Sequence, residues 1–305
     1  MSIHIFANIV TPFGTASNNR GETDGNTTTL QKLVWKSQVH TTVSAEAIRF
    51  ALRKLFAESE ETNRYWDETT QSNAWRDPEF KKWANDGETF IDDDLLGYMR
   101  ADAAKDEAKA GSATIRRAVL EVTRAVSITP WSGDVSFNAA SPGATPSAAK
   151  NKKDPDSKKN NPVPYGAELH ATRYQYGIAM TPDRLRDKSR AAKALEAIGA
   201  LRSVAGNQGR FLYDFAPEAV VIRITDDPAP RILYCFDTED GGKTVRADAL
   251  LKRIESGDVL PNELFVGVSE IDSPLAVALK ERGVKVSGVR AAIATAIESI
   301  SAQLK

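Results

Sequence analysis

A tract dominated by proline, serine, alanine, asparagine and lysine, residues 141–164, separates two stretches of ordinary globular sequence. It contains five lysines and two aspartates. Loops of this length inside a compact domain are usually functional or disordered. We therefore expect a flexible projection from the fold. The strand-like segments on either side of it, 119–128 and 168–180, are expected to pair.

Charge is segregated along the chain. Residues 57–112 contain 15 acidic and 7 basic side chains, a net charge of −8, whereas residues 113–225 contain 17 basic and 10 acidic, a net charge of +7. The first 56 residues carry 6 basic and 3 acidic side chains, and all 305 residues together have a formal net charge of −1. Only the two basic blocks suit a polyanion. Chance clustering on solvated faces is the alternative.

The composition excludes several classes of protein. A hydrophobic content of 41% and a charged content of 27% fit a soluble globule with a sizeable core. No apolar run approaches the ~18 residues of a membrane span, and the first ten residues lack a signal-peptide pattern. The single cysteine, Cys235, excludes an internal disulfide and fits a reducing cytoplasm. Three scattered histidines offer no ligand spacing for zinc, so we expect neither metal nor cofactor.

Strand and helix patterns alternate loosely, which predicts an α+β core with two insertions. Ser44 is a plausible N-cap for a helix that ends near residue 57. The aromatic residues of block 57–112 indicate a compact helical insertion, because disordered acidic tracts are poor in aromatics. Segment 15–29 is predicted as a long loop, and Asp226–Pro230 as the turn of a hairpin. The other predicted strands are 4–10, 219–225, 231–236 and 264–268, and the other predicted helices are 183–201, 246–255, 273–281 and 287–302.

The usual catalytic motifs are missing, since the chain has no nucleophile elbow, phosphate loop or dinucleotide fingerprint. Cys235 lies in an apolar strand pattern that predicts a buried, inert thiol. The run Asp92–Asp94 could hold magnesium, but consecutive side chains point in different directions and such a run more often caps a helix. Asp24 could serve a ribonuclease, although an aspartate before glycine normally forms a turn.

Two patches carry side chains that suit nucleic acid. Between residues 19 and 53, basic and amide groups interleave with Trp35, which suits phosphate contacts and base stacking on a single strand. A solvated basic face with a core tryptophan is the alternative. The glycines of 206–210 allow close backbone approach, although that loop could equally end the preceding helix. The candidate contacts are Asn19, Arg20, Lys32, Lys36, Gln38, His40, Arg49 and Arg53, and then Asn207, Gln208 and Arg210.

Six motifs, in this order, resemble the DevR branch of the backbone subunit of type I-B CRISPR complexes, the complexes called Cascade. The most distinctive are the SAEAIR helix start and the GNQGRFLYDFAPE run, and together the motifs span residues 4–225. They are HIFANIVTPFGTASNNRGE, TLQKLVWKSQVHTTVSAEAIRFALRK, FIDDDLLGYMRA, RRAVLEVTRAVSITP, ELHATRYQYGIAM and VAGNQGRFLYDFAPEAVVIRIT.

The resemblance implies a right-hand shape. A palm with an RNA-recognition-motif-like (ferredoxin-like) sheet would comprise 1–56, 113–131 and 167–305. A helical fingers insertion would occupy 57–112, and an extended β-hairpin thumb 132–166. In the first patch the resemblance adds Ser44 to the RNA contacts.

The resemblance also implies a function: a non-catalytic subunit that binds crRNA. Several copies would stack as a helical filament along the guide, and each thumb would displace a guide base so that the target DNA strand pairs in short segments. The implied partners are crRNA, the target DNA strand, neighbouring copies and other Cascade subunits. The complex would serve antiviral defence or guided transposition in the cytoplasm.

Two alternatives remain at this point. One is a metal-dependent ribonuclease subunit, as in type III complexes, with Asp24 as its first candidate residue and Asp92–Asp94 as a weaker choice. The other is an RNA-binding adaptor that works alone.

Overall fold

A mixed β-sheet organises the fold, and the structure, a computed structural model, describes residues 2–17, 23–84, 88–101, 113–140, 163–204 and 212–304. The strands are β1 (His4–Val10), β2 (Gly14–Ser17), β3 (Thr23–Asp24), β4 (Thr27–Thr28), β5 (Lys32–Trp35), β6 (Gln38–Val43), β7 (Arg64–Asp67), β8 (Ser72–Trp75), β9 (Tyr98–Ala101), β10 (Ala113–Arg116), β11 (Leu120–Val122), β12 (Ala125–Ser127), β13 (Val135–Ala140), β14 (Val163–Thr172), β15 (Tyr174–Met180), β16 (Ala219–Thr225), β17 (Leu264–Val268) and β18 (Val286–Ser287). The helices are α1 (Ala45–Ser59), α2 (Lys81–Ala84), α3 (Ile91–Leu96), α4 (Arg190–Gly199), α5 (Asp248–Glu255), α6 (Pro274–Glu281) and α7 (Val289–Gln303).

The central sheet runs in the order β18-β17-β16-β1-β15-β12-β6-β5, and β11 also pairs with β15. Strand β1 is antiparallel to both of its neighbours. Successive side chains of a strand point to opposite faces. Accordingly Ile5 and Ile9 pack into a core with α1, α4 and α7, whereas Phe6 and Val10 pack into a second core with α5 and α6. Helices therefore cover both faces, and the predicted α+β class is confirmed.

The predicted hairpin between 219–225 and 231–236 is wrong. Strand β16 is present, but β1 and β17 occupy both of its edges, so no edge remains for a partner. Residues 231–236 form no strand and lie instead against polar side chains of the sheet. Asn8 accepts the backbone N–H of Tyr234 at 2.9 Å, and Gln175 accepts that of Phe236 at 3.2 Å.

The predicted loop 15–29 and the predicted helical insertion 57–112 are both only partly right. Strands β2 and β4 of the former pair with β14, which also pairs with β13 across the predicted thumb segment. The insertion contains α2 and α3 but also the hairpins β7–β8 and β9–β10. A turn explains the first hairpin, because the Asp67 carboxylate accepts the Thr69 N–H at 2.8 Å. Segments 102–112 and 141–162 lie outside the described residues.

The first turn of α3 attaches the insertion to the core, and we call Asp92, Asp93 and Asp94 the acid turn. Asp92 accepts the backbone N–H of Asn63 at 2.7 Å and that of Arg64 at 3.1 Å. All three carboxyl side chains are buried. In the part of the chain that the structure describes, no group of three or more histidine, cysteine or acidic residues is placed to share a metal ion.

Asp94 is the most heavily bonded member of the acid turn. It accepts Arg116 Nη2 at 2.8 Å and Arg190 Nη1 at 3.0 Å. The backbone N–H groups of Arg186 and Asp187 also donate to it, at 3.1 and 3.2 Å. Because Arg190 begins α4 and Arg116 ends β10, this one carboxylate joins the insertion to the helical layer. None of the helices within the described ranges is long and apolar enough to cross a membrane.

Candidate nucleic-acid interface

Three candidate contacts of the first patch, Lys36, Gln38 and His40, lie on the β5–β6 hairpin at one edge of the central sheet. The register pairs Trp35 with Gln38, so Lys36 and Ser37 form a two-residue turn. Both have left-handed backbone, with φ of 49° and 66°, as a type I′ hairpin turn requires. The hairpin therefore presents an aromatic ring, an amide and an ammonium side by side.

A cavity of about 280 Å³ lies between this tip and residues 236–241. Trp35, Lys36, Gln38 and His40 line it from the hairpin. From the other side, the Asp237 carboxylate lies 2.8 Å from Lys36 Nζ. The side chains of this ion pair are 62% and 54% exposed, so it closes the mouth of the cavity in contact with solvent.

His40 is a buried wall of the cavity. Its Nδ1 lies 2.7 Å from the Ser127 carbonyl oxygen, which can only accept a hydrogen bond. Nδ1 therefore carries a proton and donates it to that carbonyl, which leaves Nε2 as the ring nitrogen outside this bond. Beside it, Thr41 Oγ1 lies 2.7 Å from Nδ1 of His170. Burial lowers the pKa of His170 to about 4, so that ring is neutral at physiological pH.

Lys32 belongs to a different environment, at the base of the β13–β14 hairpin. Its ammonium donates to the Glu168 carboxylate and lies 4.2 Å from the centroid of the Trp131 ring. Glu168 also accepts the Leu30 N–H at 2.7 Å, and Trp131 Nε1 donates to the Leu169 carbonyl at 2.8 Å. Lys32 thus ties β5 to the base of that hairpin.

Helix α1 carries the remaining described candidates. Ser44 caps it as predicted, accepting the Ala47 N–H at 3.2 Å. Arg49 donates to the Leu96 carbonyl and Arg53 to the Asp92 carboxylate, at 3.1 Å for Arg53, so both guanidinium groups reach α3. Burial lowers the pKa of each, although both remain charged at neutral pH.

Asn19, Arg20, Asn207, Gln208 and Arg210 lie outside the described residues. The described residues next to the two segments contact each other. The Tyr213 hydroxyl bonds Thr11 Oγ1 at 2.8 Å, and its ring lies against Gly14, where a Cβ would be 3.1 Å away.

Comparison with known proteins decides the family. The family model of the CRISPR-associated negative auto-regulator DevR/Csa2 matches residues 12–190. The CRISPR-associated protein Cas7/Cst2/DevR of Myxococcus xanthus (strain DK1622) is 59% identical over 269 residues, 88% of this chain and 87% of that protein. The chain belongs to the DevR/Csa2 family. The resemblance found in the sequence motifs is thereby confirmed.

Solved structures share the fold of this DevR/Csa2 protein at low identity. A chain of a CRISPR RNA-guided surveillance complex superposes with a TM-score of 0.52 at 18% identity, over 97% of this chain and 100% of that one. A chain of such a complex in a pre-nicking state gives 0.53 at 13% identity, with the same coverage.

Two further sequence predictions concern side chains that could take part in catalysis. Cys235 of the DevR/Csa2 protein is free and buried, as predicted, and burial raises the pKa of its thiol to about 12. Asp24 is exposed at the end of β3 and precedes Gly25, whose φ of 58° forms the expected turn.

The sequence did not reveal several residues that shape the interface of this DevR/Csa2 protein. Trp131 and Glu168 hold Lys32, and Asp237 holds Lys36. Lys36 and Asp237 are 201 residues apart, and nothing in the sequence next to either residue signals that they pair.

Proposed function

We propose that this DevR/Csa2 protein is the crRNA-binding backbone subunit of a type I-B CRISPR surveillance complex. The observation that carries the proposal is the hairpin tip on the edge of the sheet, where the exposed Lys36 and Gln38 lie beside the partly exposed Trp35, in a chain whose family and fold are those of CRISPR proteins. A cation beside an aromatic ring and an amide can bind phosphate, stack a base and donate hydrogen bonds.

The proposed RNA-binding surface runs from the hairpin tip along β6 to the start of α1. Ser44 directly follows β6, and Arg53 lies nine residues further along the helix, about 13 Å away. Lys36, Gln38 and His40 are proposed to touch RNA. Lys32, Arg49 and Arg53 already contact protein groups, so their part includes holding the surface in place. The contacts proposed from the segments outside the described residues are Asn19, Arg20, Asn207, Gln208 and Arg210.

Assembly is the second part of the proposal. Several copies stack along one guide in a helical filament, with palm, fingers and thumb in the ranges given above, and they present the guide to a target DNA strand in an R-loop. Other subunits of the complex complete it. The acidic block 57–112 is available to face a basic neighbour. The assembled complex acts in the cytoplasm, in antiviral defence or guided transposition.

We propose that the subunit is not catalytic. In the acid turn, the best candidate for magnesium, the Asp92 and Asp94 carboxylates accept hydrogen bonds from arginines and backbone amides, and the Asp93 carboxyl accepts one from the Asn63 side chain. The competing function is a ribonuclease that uses Asp24. The assembled protein incubated with complementary RNA and Mg²⁺ should leave the RNA intact, whereas cleavage that Asp24→Ala abolishes would establish the enzyme instead.

The salt dependence of RNA binding separates direct contacts from structural arginines. Lys36→Ala should flatten the slope of log K against log salt for a single-stranded RNA by roughly 0.7, because one phosphate contact is lost. Lys252→Ala is the matched control, since Lys252 is an exposed lysine of α5 outside the proposed surface, and it should leave the slope unchanged, whereas Arg53→Ala should chiefly lower stability because its guanidinium contacts Asp92. The result that counts against this surface is a slope that Lys36→Ala leaves unchanged.

A further inference from the structure

Hydrogen bonds within the protein fix the walls of the cavity at the hairpin tip. Its back wall, Phe236, is fixed by Gln175, which donates to the Phe236 carbonyl at 2.9 Å and accepts the Phe236 N–H. Tyr234 lies behind the lining residue Trp35 and is fixed by two hydrogen bonds, since its N–H donates to Asn8 and its hydroxyl donates to the Arg124 carbonyl at 2.7 Å. The Tyr234 ring contacts Trp35, with centroids 5.1 Å apart. The walls therefore hold their shape without a ligand.

Backbone conformation points to the same place. Lys36 and Ser37 on the hairpin and Tyr234 opposite are all non-glycine residues with positive φ, between 49° and 66°. Such conformations cost free energy and persist where surrounding contacts enforce them, often at ligand sites. Of the three, Lys36 lines the cavity, Ser37 follows it in the same turn, and Tyr234 precedes the lining residue Phe236 by two positions and contacts Trp35.

The chemistry of the walls selects a class of ligand. Trp35 offers a π-face, Gln38 an amide that both donates and accepts, and His40 a ring nitrogen, Nε2, that its bond to Ser127 does not use. A volume of about 280 Å³ is below the ~300–1,000 Å³ of pockets for drug-sized ligands, so it suits one planar heteroaromatic group. A nucleobase has that shape and those hydrogen-bonding edges. The ammonium of Lys36 at the mouth suits its phosphate.

The Asp237 carboxylate would compete with that phosphate for Lys36. Its carboxylate already neutralises Lys36, and Glu239 and Asp240 follow it in the same exposed loop. Glu239 is paired with Arg246, and Asp240 accepts hydrogen bonds from Thr238 and Thr244 of its own loop. Of these three acids, only Asp237 contacts the hairpin cation.

We propose that this cavity is a mononucleotide subsite of the RNA-binding surface, in which one unstacked base lies against Trp35 and its phosphate displaces Asp237 from Lys36. Asp237 is then a competitor that weakens binding at this subsite until a phosphate replaces it. The inference rests on the proposed function, since it concerns the same hairpin.

A double-mutant cycle tests the competition between Asp237 and phosphate. The full-length chain is titrated with a fluorescent single-stranded RNA of fixed length at constant salt. Asp237→Asn should tighten binding by about two- to five-fold, the equivalent of one exposed ion pair released. In a Lys36→Ala background the same substitution should have no effect, because no cation remains to be released.

Glu281→Gln is the charge-matched control, because α6 lies against β18 at the opposite edge of the sheet from β5. It should leave the affinity unchanged. If Asp237→Asn has no effect, or tightens binding equally with and without Lys36, general electrostatics explains the result and the competition is refuted.

The stacking of a base on Trp35 is tested separately. Trp35→Ala should weaken RNA binding by at least about five-fold, and Trp35→Phe should restore most of it, because base stacking needs a π-face. Trp66→Ala removes an exposed tryptophan on β7, away from the β5–β6 hairpin, and should change little. Equal affinities for Trp35→Ala and the wild type would refute the subsite while leaving RNA binding intact. A wild-type chain that fails to bind RNA at all would instead refute the proposed function.

Discussion

Asp94→Asn is expected to lower the free energy of unfolding by about 3–5 kcal/mol, the usual result of removing one partner from a buried ion pair. Asp94 is fully buried and accepts four hydrogen bonds, two from arginines and two from backbone amides. An asparagine keeps the size of the side chain but loses the negative charge. Its amide N–H₂ also faces groups that can only donate.

Chemical denaturation followed by fluorescence measures this loss. The control is Asp183→Asn, the same substitution at a solvent-exposed carboxylate paired with Lys188, and it should change the free energy of unfolding far less than Asp94→Asn does. Equal losses for the two variants would show that the acid turn does not hold the insertion to the core.

Asp93→Asn is expected to have the opposite effect and to raise the free energy of unfolding at neutral pH. Burial, together with the adjacent Asp92 carboxylate, raises the pKa of Asp93 from 3.8 to about 7. Its carboxyl group receives a hydrogen bond from Asn63 Nδ2 at 2.9 Å, with no arginine bonded to it within the described residues. A neutral side chain of the same size therefore removes the cost of a buried charge, up to about 4 kcal/mol for a shift of about 3 pKa units.

The pH dependence gives the sign of this effect. Well below the ordinary pKa of 3.8, the carboxyl is protonated in both the folded and the unfolded chain, so Asp93 adds no penalty. As pH rises to about 7, the unfolded chain ionises first, and the wild type loses stability relative to the variant. Denaturation at pH 5 and pH 8 measures the difference. A gap between wild type and Asp93→Asn that is the same at both pH values would contradict the assigned shift.

Local chemistry explains which elements the sequence predicts. Strands β1 and β16 are apolar runs with flanking turn signals, and α1 and α6 begin at the capping residues Ser44 and Ser273. Each of these signals lies within a few residues of the element that it specifies. The family resemblance likewise depends on contiguous motifs.

What the sequence does not predict depends on distant partners. Residues 231–236 have a strand-like composition, but Asn8, more than 200 residues earlier, holds their backbone out of the sheet. The sequence does not predict the β5–β6 hairpin, because its turn is Lys36–Ser37 rather than the asparagine–glycine pair typical of a type I′ turn.

The residues of the candidate site also divide into those that the local sequence predicts and those that depend on distant partners. Lys36, Gln38 and His40 are found together because a single hairpin carries them. The contacts of Lys32 and Arg53 are not foreseen, because Glu168 and Asp92 lie 136 and 39 residues further along the chain. A basic side chain in a nucleic-acid-binding pattern is therefore also a candidate for an ion pair within the protein.

The mass of the chain co-expressed with a CRISPR array tests the central claim most directly. Native mass spectrometry of the purified protein should show particles that hold several copies of the chain on one small RNA, and ribonuclease treatment should release copies from them. A chain that emerges as an RNA-free monomer under the same conditions would contradict the proposed backbone function.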